Sequence, residues 1–272
     1  MKTACYAAID VGTNSTLLTV MRRMADGNFE ILSDQSAITQ LGEGISETHN
    51  LNPEAIKRTI EAVKSFQQIA QEQGAIRIIV VGTSALRDAE NRDKFGSALA
   101  ELGLSLRILS GEEEAKLSFL SVALDPTLNF SEPLAVFDIG GGSLELAVGS
   151  KQNLKMFKSI PAGAVRLTEQ LVQGDPPSSK QLQAAIPEID HLLSDLPISE
   201  PIGALVGVGG TVVNILSSYL RLPEFNPTRL HGKILTAQNI HSMLELYCSM
   251  TTIERRKLTG LEPKRALYMP AG

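Results

Sequence analysis

The sequence is poor in cysteine and lacks tryptophan: Cys5 and Cys248 are its only thiols. Two cysteines this far apart make neither a disulfide framework nor a zinc-ligand spacing. Four histidines, His49, His191, His231 and His241, share no HExxH or His–Asp doublet, which argues against a metallohydrolase. Aromatic residues are only 4% of the chain, a poor basis for stacking on nucleic-acid bases. Neither sign of charge dominates, with 25 basic and 30 acidic residues and a net charge of −5. Bulk attraction to a nucleic-acid polymer is therefore not expected. Long apolar runs are missing as well. Asp10 interrupts the apolar run after Lys2 too early for a signal peptide. No stretch reaches the ~20 apolar residues that span a bilayer. These absences point to a soluble, cytoplasmic protein with no membrane partner.

What is present is core-forming residue and glycine. Of 272 residues, 43% are apolar, enough for a sizeable core without staples. At roughly 150 residues per domain, the length allows two domains or one large one. The pattern alternates strands and helices, as in an α/β fold. Strands are expected over Lys2–Asp10, Ser15–Arg23 and Phe29–Ser33. Asn52-Pro53 then reads as an N-cap and first helical residue, with Ile56, Ile60, Val63, Phe66 and Ala70 on one face and Gly74 as the stop. A buried strand at Ile76–Val81, a helix at Asn91–Leu102, a strand at Leu106–Leu109 and a helix at Glu112–Ala123 follow. The two prolines of Asp125–Pro133 mark a boundary, giving domains 1–124 and 125–272. Strands at Leu134–Asp138, Leu144–Val148, Leu154–Ser159 and Gly203–Val208 are expected after it, with helices at Ala164–Val172, Lys180–Leu196 and Thr211–Leu220 and a helical tail from Thr236.

The second half restarts like the first. Ala7-Ala8-Ile9-Asp10-Val11-Gly12-Thr13-Asn14-Ser15 aligns with Ala135-Val136-Phe137-Asp138-Ile139-Gly140-Gly141-Gly142-Ser143, 128 residues later. That spacing is too long for a solenoid and implies two similar halves. Glycine turns after a strand let backbone amides approach an anion closely. One copy of Asp-x-Gly-x-x-Ser would read as a polar hairpin turn. Two copies, with Gly207-Val208-Gly209-Gly210-Thr211 opening a helix, favour phosphate binding at Gly12–Ser15, Gly140–Ser143 and Gly209–Thr211. Asp10 and Asp138 end their strands beside these turns and suit Mg²⁺, as does Glu145, on the strand face of Ser143.

Other polar residues are more ambiguous. In Ser110-Gly111-Glu112-Glu113-Glu114-Ala115, Ser110 and Glu113 fit a capping box, which leaves Glu114 as a candidate general base for water. Arg87 follows a strand's carboxyl end, where a bidentate phosphate contact is placed, though taken alone a surface pairing with Asp88 is the better reading. Arg166 is a weaker candidate of the same kind. Glu254–Lys257 reads as a solvated helix face, and His231 as a loop residue.

Together these stretches, with Thr83-Ser84-Ala85-Leu86-Arg87-Asp88-Ala89 and Phe137–Glu145, resemble the exopolyphosphatase and guanosine pentaphosphate phosphohydrolase family of the actin-like superfamily. The resemblance covers essentially the whole chain. It implies two ribonuclease-H-like domains with an active-site cleft between them. It also implies Glu114 as the base for water, Asp138 and Glu145 as residues tied to Mg²⁺, Arg87 as a phosphate contact and the three loops as phosphate binders. Polyphosphate is the implied substrate, with guanosine pentaphosphate (pppGpp) as the alternative and a homodimer as the implied assembly. A non-catalytic polyphosphate or nucleotide sensor, and an actin-like kinase, are the rivals from other classes. The appended helical domains of longer members, and the helix that crosses back to their first domain, are not expected within these 272 residues.

Overall fold

The computed structural model describes residues 4–194, 196, 198 and 201–272. Lys2 and Thr3 of the first expected strand, and Asp195 of the helix expected to reach Leu196, lie outside the described residues. The chain divides into two units, one running to Ser110 and the other from Gly111 to Gly272.

Alternation builds the first unit. In β1 (Cys5–Val11) the odd-numbered residues are buried, and in β2 (Ser15–Arg23) Thr16, Leu18 and Val20 join them. With β3 (Phe29–Ile38) these strands form an antiparallel meander. After the short α1 (Ile45–Thr48), helix α2 (Pro53–Glu72) packs on the apolar face of the sheet. The Asn52 side chain accepts from the Glu54 amide, Pro53 opens the helix, and Ala55, Thr59, Val63, Phe66 and Ala70 are buried. Ile9 and Leu18, both fully buried, are each worth roughly 1.5–3 kcal/mol of transfer free energy. The strand β4 (Ala75–Gly82) returns parallel to β1, followed by α3 (Ser84–Asp88), α4 (Arg92–Glu101) and β5 (Leu106–Ile108). The sheet order is β3-β2-β1-β4-β5. Strand β3 runs five residues past its expected end at Ser33. Its later residues are mostly polar because it is an edge strand, held by backbone pairing with β2 and not by burial.

The second unit opens with α5 (Gly111–Ala123), followed by β6 (Leu134–Ile139), β7 (Leu144–Gly149) and β8 (Leu154–Ile160). Then come α6 (Ala164–Gln170), α7 (Ser179–Ser194, with Pro187 inside it), β9 (Ala204–Val208) and α8 (Gly209–Tyr219). The helical tail consists of α9 (Pro227–Leu230), α10 (Ala237–Ser249), α11 (Thr252–Arg255) and a 3₁₀ turn at Pro263–Arg265. The sheet order, β8-β7-β6-β9, repeats the first unit's meander with one parallel partner. Where the sequence reading put the boundary after α5, the units divide before it. Ala115, Phe119, Val122 and Ala123 bury themselves with Leu134, Val136 and Ala147 of β6 and β7, so α5 belongs to the second sheet. That sheet face also carries Asp138, Glu145 and Ser159. Among the described residues no helix is long and apolar enough to cross a membrane.

Candidate active site

The repeated motif folds into the same turn twice. The Gly12 amide donates to the Ser15 carbonyl at 2.9 Å, and the Gly140 amide donates to the Ser143 carbonyl at 3.0 Å. Both turns are pinned through their carbonyls. In the first unit the Asn14 carbonyl accepts from the Thr39 and Gln40 amides, and the Thr13 carbonyl accepts from the Gly42 amide. In the second, the amides of Ala164, Val165 and Arg166, at the start of α6, donate to the Gly140 and Gly141 carbonyls. The amides of Thr13, Asn14, Gly141 and Gly142 have no acceptor among the described residues. This polarity, carbonyls engaged and amides available, is that of an anion nest. The first turn adds a further sign. Thr13 Oγ1 and both polar atoms of the Asn14 side chain are buried without a hydrogen-bond partner among the described residues. Each such atom costs about 1–3 kcal/mol unless a ligand or solvent satisfies it.

Asp10 and Asp138 occupy equivalent rungs. Asp10 lies opposite Leu17 on β2 and Val81 on β4, and Asp138 lies opposite Glu145 on β7 and Val208 on β9. Only the second unit thus carries two carboxylates side by side, on directly opposed residues of adjacent strands. Both accept hydroxyl bonds. Ser118 Oγ, on α5, donates to Asp138 Oδ2 at 3.2 Å, and Ser159 Oγ, on β8, donates to Glu145 Oε1 at 2.7 Å. Glu114 stands one helical turn before Ser118, on the same face of α5, in a first turn whose dipole favours the ionised carboxylate.

Asp138 is partly buried, and that burial pushes its carboxyl up, opposed by the Ser118 hydroxyl and the Arg265 guanidinium. A raised folded pKa means that stability is fully present below the unfolded value and is lost as pH rises through the folded one. Burying this carboxyl therefore weighs against folding as pH rises above the ordinary carboxylate range. Asp138→Asn is expected to flatten this fall in Tm with pH, to hold Tm at pH 7 at or above wild type, and to abolish turnover. A wild-type Tm–pH profile in the variant would contradict it.

The third loop is shaped by close approaches. Gly209 has φ +85°, and a Cβ there would collide with Asp138 Oδ1. At Gly210 a Cβ would collide with the Arg265 guanidinium. Val208 caps α8 without a side-chain bond, so no cap side chain occupies the first amides of this 11-residue helix. The Thr211 hydroxyl is engaged on the Ile139 carbonyl at 3.0 Å and so ties this loop to the β6–β7 turn. Asn214 joins α8 to the 3₁₀ turn, donating to the Gly210 carbonyl and accepting from the Glu262 amide, both at 2.8 Å. Arg265, which the sequence reading missed, thus brings positive charge to Gly210 and Asp138. A lone arginine in a polar tail carries no sequence signal of this contact.

The other candidates fall out differently. In the first unit the Thr83 amide donates to the Val11 carbonyl, setting α3 beside the turn at Gly12. Arg87, on α3, donates from Nη1 to the Leu109 carbonyl at 3.0 Å. Arg166 supports its loop, with Nε on the Gly142 carbonyl at 2.8 Å. The expected solvated face at Glu254–Lys257 needs correction, because Arg255 is only 1% exposed. Its five donors reach carbonyls and polar side chains that a solvated face would leave to water. His231 closes α9 and lies 3.1 Å from Asp125 and 3.0 Å from the Thr127 hydroxyl.

No group of three His, Cys, Asp or Glu residues able to hold a metal occurs among the described residues. Mg²⁺ needs less than that, since it retains water and takes one or two carboxylates together with substrate phosphates. The oxygen-only Asp138–Glu145 pair fits such an ion.

A sequence model of the Ppx/GppA phosphatase family matches residues 20–272. The chain belongs to this family. Among its relatives, exopolyphosphatase 2 of Mycobacterium tuberculosis is 29% identical over 98% of this chain and 86% of its own length. A guanosine-5'-triphosphate,3'-diphosphate pyrophosphatase of Vibrio vulnificus is 32% identical, and this chain spans 52% of it. The crystal structure of the Aquifex aeolicus Ppx/GppA family member superimposes with a TM-score of 0.81 at 29% identity, covering 99% of this chain and 87% of that one. Membership of Ppx/GppA makes this protein a phosphatase-type hydrolase, and the match to the Aquifex structure bears out the expected α/β fold with two sheets.

Proposed function

We propose that this Ppx/GppA protein removes terminal orthophosphate from inorganic polyphosphate by attack of water. The observation that carries this reading is the Asp138–Glu145 pair of the second unit, with the Gly140–Ser143 turn at the end of its strands and α5, which carries Glu114, packed on its sheet. The amides of Gly141, Gly142 and the first turn of α8 orient the terminal phosphate oxygens. Arg265 neutralises phosphate charge in the second unit, and the turn at Gly12–Ser15 is by itself a phosphate-binding turn of the first. Glu114 accepts a proton from water as its oxygen bonds to the terminal phosphorus, and the bridging oxygen departs with the shortened chain. Mg²⁺, held by Asp138 and Glu145, would supply further neutralisation of the developing charge.

A second substrate reading rests on the Vibrio relative, whose name specifies a guanosine triphosphate diphosphate. Amide nests grip phosphates and ignore what is attached to them, so pppGpp fits the same loops. Orthophosphate release from polyphosphate, pppGpp and ATP, each with Mg²⁺, separates the readings. Polyphosphate is expected to give the highest kcat/KM. Preference for pppGpp would move the assignment to that substrate, and binding without release from any of the three would make the chain a sensor.

A further inference from the structure

The two halves share a rung that runs across three strands. Asp10, Leu17 and Ser36 oppose one another in the first sheet, and Asp138, Glu145 and Ser159 in the second. The outer residue is serine in both, and the middle one differs. Beside Leu17, which offers no acceptor, Ser36 is exposed on the edge strand. Beside Glu145, which is only 3% exposed, Ser159 makes the 2.7 Å bond to Oε1. That length is typical of a charge-assisted O–H···O⁻ bond, the stronger class of hydroxyl contact.

Ser159 is also held from the other side. A Cβ on Gly111 would collide with Ser159 Cβ and Oγ, so the first residue of α5 sits directly against this serine. The hydroxyl is confined between the backbone of α5 and the Glu145 carboxylate. One small side chain therefore touches two things: a buried carboxylate and the first residue of the helix that carries Glu114.

We infer that Ser159 is a positioning residue, acting through Glu145 and the first turn of α5. This rests on the proposed role of Glu145. A buried carboxylate that loses such a partner can rotate, and outer partners of metal-binding carboxylates typically cost 10–100-fold in affinity or activity when removed.

The test uses Ser159→Ala, Glu145→Gln and Ser36→Ala, with orthophosphate release from polyphosphate, Mn²⁺ binding followed by electron paramagnetic resonance without substrate, and Tm. Ser159→Ala is expected to lower kcat and weaken Mn²⁺ binding, each by about 10–100-fold, with KM little changed. Ser36→Ala, the same change on the matching rung, is expected to leave all three readouts at wild type. If Ser159→Ala keeps wild-type kcat and Mn²⁺ affinity while Glu145→Gln loses both, the positioning role is overturned and the role of Glu145 stands. If Ser159→Ala lowers Tm and kcat but not Mn²⁺ affinity, the serine merely packs, and the proposal fails. If Glu145→Gln itself keeps turnover and Mn²⁺ binding, the role of Glu145 is overturned and that of Ser159 with it.

Discussion

Glu114→Gln is expected to lower orthophosphate release by about 10²–10⁴-fold, the usual worth of a positioned proton acceptor. The substitution keeps the shape and polarity of the side chain and removes only its basicity. Three acidic residues crowd the first turn of α5: Glu112, Glu113 and Glu114. Helix-end electrostatics explains all three as a group, at about 0.3–1 kcal/mol each. It does not explain why Glu114 stands one turn from Ser118, which bonds Asp138. The two explanations differ in magnitude and in kind. If Glu114 only steadied the helix, the glutamine variant would lose a fraction of a kcal/mol in stability and keep its rate. Initial rates at saturating substrate, measured beside Tm, decide between them. Glu112→Gln serves as the comparison, expected to change Tm slightly and the rate hardly at all.

Arg255→Ala is expected to destabilise the second unit by about 3–5 kcal/mol, the cost of breaking a buried, hydrogen-bonded charge. For a domain of this size that lowers Tm by roughly 6–20 °C. Arg255 is 1% exposed. Its Nε donates to the Ala266 carbonyl, Nη1 to the Tyr247 and Met250 carbonyls, and Nη2 to Thr252 Oγ1. These bonds clasp the end of α10 and the start of α11 to the segment beside Arg265. The ion pair to Asp175, at 3.2 Å, contributes less, because Asp175 is 41% exposed and water screens it. Asp175→Asn is therefore expected to cost under about 1 kcal/mol, whereas removing the guanidinium strands three carbonyls. Thermal melts of the two variants test this ordering, and equal losses would show that the ion pair dominates. Because Ala266 adjoins Arg265, Arg255→Ala should also loosen the charge over Gly210 and raise KM.

How far the sequence carried depended on whether a feature repeats or stands alone. The turns at Gly12 and Gly140 were legible because Asp-x-Gly-x-x-Ser occurs twice, each time after an apolar strand. Strand alternation put Glu145 on the face of Ser143, whereas its place opposite Asp138 came only with the register of the hairpin. Helix α2 was legible from its cap and its apolar spacing. The end of β3 was not, because backbone pairing along an edge needs no apolar pattern. Nor was the allegiance of α5, whose buried Ala115, Phe119 and Val122 read equally well as a face toward either sheet. Arg255 and Arg265 were misread or missed for one shared reason. A charged residue in a helical tail carries no sign of its burial until tertiary contacts supply its acceptors. Ser159 was hidden differently, as a polar end to an unremarkable strand, and gained meaning only from its register against Glu145.

The central claim is that this chain brings water onto a terminal phosphorus. Its most direct test is polyphosphate hydrolysis in ¹⁸O-enriched water with mass analysis of the products. One solvent oxygen in each orthophosphate released, none in the shortened chain, and loss of this incorporation in Glu114→Gln is the expected result. Label in the shortened chain, or no orthophosphate released from bound polyphosphate, would contradict it.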